Sequence, residues 1–156
     1  MRNFRFLFFI LNFLLLFFIT GCNTSEASSS KERDANHKVC SKCNMELPSS
    51  NIHTAKILKD TNSYYFDDIG CLVLWAKDKN IDIDAAKTEV FTNDTHRYIE
   101  ASAAYFTISE KTPMNYGFSA YEYKKESFIK IDEVKLKMLR GEHMANPKIR
   151  KQILGQ

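Results

Sequence analysis

The chain has 156 residues, 44% of them hydrophobic and 26% charged, with a formal net charge of +3. Gly and Pro are too scarce for a collagen-like or disordered chain, and a single long apolar run excludes a multi-span membrane protein. Seven of the twelve Phe fall within the first 21 positions, and the 135 residues after them carry 20 basic and 19 acidic side chains, a near-neutral balance that disfavours nucleic-acid binding.

At the N-terminus Arg2 and Arg5 precede Phe6 to Ile19, a run that is apolar apart from Asn12. It is too short for a comfortable bilayer span and fits a secretory signal. Ile19, Thr20, Gly21 and Cys22 close it in a way that resembles the lipobox of bacterial lipoproteins, so residues 1–21 are expected to be a signal peptide and Cys22 the lipidated residue. The expected location is extracytoplasmic and membrane-anchored, on the periplasmic side in a two-membrane cell. Residues 22–38, with three consecutive Ser and no large apolar side chain after Cys22, read as a flexible tether. Such a segment has an r.m.s. reach of about 20 to 25 Å, enough to hold a domain clear of lipid headgroups.

The folded part is expected over residues 39–140. His53 to Leu58 and Ser63 to Phe66 are β-favouring runs around the turn formers Asp60, Thr61 and Asn62, the pattern of a hairpin. Asp68 then caps a helix over Ile69 to Lys79, and Lys87 to Thr92 gives a third strand. Ala103 to Ser109 and Gly117 to Tyr123 form a second pair, Ser127 to Ile131 a further strand, and Asp132 and Glu133 open a helix through Arg140. The class is α+β, a small antiparallel sheet with helices. Residues 141–156 are expected to be a basic tail, and Lys135 to Gln156 hold six Lys or Arg against Glu142 alone.

With Cys22 set aside, Cys40, Cys43 and Cys71 remain, an odd number that cannot be a complete set of internal disulfides. Residues 40–45 read C-x-x-C-x-M. Alone, C-x-x-C is shared by zinc sites and thiol enzymes, but the thioether of Met45 is a soft ligand that suits cuprous copper. Cys43 and Met45, two apart on an extended segment, would face one side. Three alternatives stand beside this. One is a thiol-disulfide oxidoreductase using Cys40 and Cys43, although no helix signal follows the pair. Another is a structural zinc site of Cys40, Cys43, Cys71 and one of His53 or His96, and the last is a local Cys40–Cys43 disulfide with Cys71 in the core. Asp67, Asp68 and Cys71 gather at the helix start, where the dipole favours a thiolate on Cys71.

Three segments together resemble the NosL family, copper-binding lipoproteins that act as accessory proteins of nitrous oxide reductase. They are the lipobox followed by C-x-x-C-x-M, the FDDIGCLVLW run of Phe66 to Trp75, and the block from His96 to Tyr121 with its P-M pair. The resemblance spans Cys22 to about Val134. It implies a copper(I) chaperone, not an enzyme, working with the machinery that assembles nitrous oxide reductase or a related copper enzyme. It also implies a ββαβ unit followed by a second related unit, and Cys43 and Met45 as principal ligands, with Met114, Cys40 and His96 as further candidates. Asn44 and Asn115 stand where the family usually has Gly, which implies reshaped loops. Only Lys124 to Ser127 separate the last two predicted strands, so the second unit is expected to be trimmed.

Overall fold

A computed structural model describes residues 38–156. The expected signal peptide, Cys22 and nearly all of the tether lie outside the described residues. The expected hairpin is present as β1 (Ala55–Lys59) and β2 (Asn62–Phe66), in antiparallel register from Ala55 opposite Phe66 to Lys59 opposite Asn62. Asp60 takes φ 56 at the turn, a left-handed conformation that Asp tolerates better than most residues. β3 (Lys87–Phe91) pairs with the other side of β1, and β4 (Tyr98–Glu100) with β3, giving the antiparallel order β2-β1-β3-β4. Ala55 and Ile57 are buried while Lys56 and Leu58 are not, the period-2 pattern of a sheet with one covered face.

That face is covered by α1 (Ile69–Asp78), which connects β2 to β3 and completes a ββαβ order. Asp68 caps it by accepting the Gly70 N–H, as expected. Leu72, Val73, Trp75 and Ala76 are buried, and the Trp75 ring lies 4.6 Å from Tyr64 and 5.3 Å from Phe66. After β4 come β5 (Tyr105–Thr107) and β6 (Ser119–Tyr121), a separate two-stranded antiparallel sheet, and then α2 (Ile131–Arg140), packed on α1 and ended by Gly141 at φ 73. The α+β class holds, and no helix lies between β6 and α2 among the described residues.

Three boundaries differ from expectation. Ser127 to Ile131 is not a strand, because only Ile129 bridges, to Phe106. β4 was not expected: three residues are too few for a periodic signal, and register with β3 defines it. Residues 147–154 of the basic tail form α3 (Pro147–Leu154), with Asn146 as N-cap, Pro147 in its first turn and Gly155 past its end. Among the described residues no helix is long and apolar enough to cross a membrane.

Candidate metal centre

The C-x-x-C segment is a closed loop laid against the edge of β2. Val39 bridges Glu46, the Leu47 N–H donates to the Lys38 carbonyl at 2.9 Å, and the Cys40 N–H donates to the Met45 carbonyl at 2.8 Å. At the tip the Asn44 N–H returns to the Cys40 carbonyl at 2.9 Å, and Asn44 adopts φ 61. Asn115 likewise adopts φ 55. Both asparagines take the left-handed conformation that glycine adopts most readily. The Ser41 N–H donates to the Tyr65 carbonyl at 2.8 Å and pins the tip to the last residues of β2, immediately before Asp67.

Asp67 and Cys71 therefore come to the same place as Cys40 and Cys43. One ligand atom from each of these four residues lies within 4.8 Å of every other. No disulfide joins the cysteines, and all three thiols are free. Cys40, Asp67 and Cys71 are buried, while Cys43 is half-buried. The cluster could hold a metal ion. The donor set suits one: three sulfurs and a carboxylate, with Asp67 fully buried, its Oδ2 accepting the Cys43 S–H at 3.4 Å and its Oδ1 without any partner. A buried unpartnered acceptor costs about 1–3 kcal/mol, so a cation at this oxygen removes a penalty that folding leaves standing.

The thiols are electrostatically unequal. Donation from the Cys71 thiol, assisted by backbone N–H groups of Cys43 and Asp67, lowers Cys40 to about 6 in spite of its burial. Burial pushes Cys43 up to about 11. Cys71 is raised strongly, first because it donates to Cys40 and then because it is desolvated. This reverses the sequence expectation that the helix dipole would favour a thiolate on Cys71: the neighbouring Cys40 thiolate outweighs the dipole. The first negative charge on sulfur is therefore favoured at the buried Cys40.

The other expected ligands are placed differently. Met45 is 44% exposed, and the turn through Asn44 replaces the extended segment on which it was to share a side with Cys43. Met114 is half-buried in a loop that Asp68 ties to the start of α1 by accepting from the Thr112 hydroxyl and, at 3.4 Å, from the Met114 N–H. Tyr116, from the same loop, covers Gly70, where a Cβ would sit 2.3 Å from the ring. Met114 is thus carried on a loop fixed to the helix that bears Cys71. His96 does not join the cluster: it is exposed and stacks on Phe91 with ring centroids 6.4 Å apart. His53 is also elsewhere, with Nδ1 2.8 Å from the Ser119 hydroxyl. Asp67 was not singled out as a ligand, although two consecutive Asp before a helix that needs one cap are a usable signal.

No family model, curated protein or solved structure matches the chain.

Proposed function

We propose that this cluster is a cargo site for copper(I), and that the protein is a membrane-tethered, extracytoplasmic copper carrier of the NosL kind rather than an enzyme. The observation that carries this reading is the convergence of three free thiols on one point beside a buried, half-partnered carboxylate. Cuprous copper is satisfied by two or three soft ligands, and Cys40 already favours the thiolate such an ion needs. A thiol-disulfide enzyme needs its low-pKa thiol at the surface. Here the lowered thiol, Cys40, is buried, and the more accessible Cys43 is raised, which disfavours that chemistry. Lipid on Cys22 would keep the domain at the membrane, and the clients would be the proteins that assemble nitrous oxide reductase or a related copper enzyme. In this reading Met45, at the surface, and Met114 would be further soft atoms for loading or transfer.

One observation favours a second reading. The Asp67 oxygen is a harder donor than sulfur, and three cysteines with one carboxylate make a four-ligand set acceptable to zinc. Titration of the reduced lipoprotein against a cuprous chelator and, separately, a zinc chelator decides between them. The copper reading expects stoichiometric cuprous binding that outcompetes the chelator, is lost in Cys43→Ser and is weakened in Met45→Leu. Equal cuprous affinity in the parent and both variants overturns it, and tight zinc binding with weak cuprous binding selects the alternative.

A further inference from the structure

Far from the sulfur cluster in sequence, α3 is a helix whose outer face has no use within the domain. Its N-cap is fastened to the end of α2, where the Asn146 side-chain amide donates to the Gly141 carbonyl at 3.1 Å. None of its residues is buried. Ile149 and Ile153, one helical turn apart, are half-buried and define the side facing the protein. At 100° per residue the opposite side gathers Lys148, Lys151 and Leu154, with Arg150 at its flank. Leu154 is 44% exposed, and there is no acidic side chain from His143 to Gln156.

The other cations of this region are already engaged. Lys135 pairs with Asp84 and Asp132, and Lys137 with Glu133 and Glu142. Arg140, Lys148, Arg150 and Lys151 form no ion pair among the described residues. Arg140 and Leu139, the latter 48% exposed, sit on the last turn of α2 just before the connection. Three unpaired cations and the exposed Leu154 on a short helix, with Arg140 and the exposed Leu139 on the turn before it, match an anionic interface with an apolar layer beneath it.

We infer that α3 is a docking surface for an anionic phospholipid leaflet, with Lys148, Arg150 and Lys151 at the headgroups and Leu154 at the acyl boundary. The occupant is a lipid surface rather than an acidic protein because unpaired cations stand beside single exposed leucines, which pairs charge for headgroups with an apolar side chain for the layer beneath them. Docking would hold the domain in one orientation on the membrane, a restraint beyond the lipid proposed on Cys22.

The test uses the full lipidated chain in vesicles of phosphatidylcholine alone and of phosphatidylcholine mixed with phosphatidylglycerol. Amide hydrogen exchange is followed across residues 147–154, with α1 as the folding control. Exchange in α3 is expected to slow only with the anionic lipid and to recover at high salt. Reversing Lys148, Arg150 and Lys151 to Glu is expected to weaken surface association on the order of 100-fold, with α1 unchanged. Equal α3 exchange in the two vesicle types, or protection that survives the reversal, overturns the inference. A chain lacking lipid on Cys22 would fail to bind the neutral vesicles yet still show protection with anionic ones, so failure of the anchor is read separately.

Discussion

Two regions of this molecule gather carboxylates, and they treat them in opposite ways. Around β5 and β6 the carboxylates of Glu110, Asp94 and Glu122 are all engaged, and the one orphan there is a neutral amide oxygen, the buried Asn93 Oδ1. Glu110 accepts from the Thr107 hydroxyl at 3.1 Å, the Asn93 amide at 3.2 Å and the Tyr121 hydroxyl, while Asp94 accepts the N–H groups of Thr95, Glu122 and Tyr123. Glu122 is bound by Arg97 and Thr95. At the start of α1 the demand is left open: three thiols share one favoured negative charge, and one Asp67 oxygen has no partner. The neighbouring pair makes the same contrast at closest range. Asp68, equally buried, spends its oxygens on Gly70, Thr112 and Met114. A satisfied polar network specifies a fold, and an unsatisfied one of matched chemistry is a place for a ligand.

The contrast breaks first if the two regions respond alike to mutation. Cys71→Ser is expected to lower metal affinity by at least about 100-fold, beyond what an outer partner of a ligand contributes, with little change in the melting temperature of the metal-free protein. Glu110→Ala is expected to do the reverse, destabilising the fold by about 1–3 kcal/mol because three donors lose their shared acceptor, while a chelator titration finds affinity within about twofold. A smaller effect sharpens the comparison within the sulfur region. Asp67→Asn is expected to lower affinity by about tenfold, more for zinc than for copper, without lowering metal-free stability, since the residue it replaces has an unpartnered oxygen. If denaturant melts show a large loss of stability with affinity untouched, Asp67 belongs with Glu110 and not with the thiols.

The scaffold was more legible in the sequence than the site. The β1–β2 hairpin, the Asp68 cap, α1 and β3 follow from local signals: turn formers between β-branched and aromatic runs, and a capping residue ahead of apolar helical spacing. The α3 signals were equally local, Asn146-Pro147 at one end and Gly155 at the other, but the basic composition between them reads as tail. β4 could not be read because its identity is a register with β3. The site divides in the same way. C-x-x-C marks itself, whereas Asp67 and Cys71 join it as candidate ligands only when the end of β2 and the start of α1 meet the loop, an encounter across 24 residues between Cys43 and Asp67 that no local pattern encodes. The charge order among the thiols is less legible still, since it reverses the helix-dipole argument through contact with Cys40.

The smallest expected effect separates Asp68 from its neighbour by pH. Burial raises Asp68 from 3.8 to about 6, against hydrogen bonds that oppose the shift. Below the unfolded-state pKa both states hold the proton and the contribution is fully favourable. As pH rises through the folded-state pKa near 6, the unfolded chain has already released the proton while the folded one resists, so stability is lost. Asp68→Asn keeps a good N-cap residue and removes this titration. The parent is therefore expected to lose ~1 kcal/mol relative to the variant between about pH 5 and about pH 7, read from denaturant melts of the metal-free protein. His53 and His143 are both lowered by burial, which pulls the parent in the opposite direction over the same range. They are present in both proteins and drop out of the difference, so a flat difference across that range would mean that Asp68 is not held desolvated between α1 and the Met114 loop.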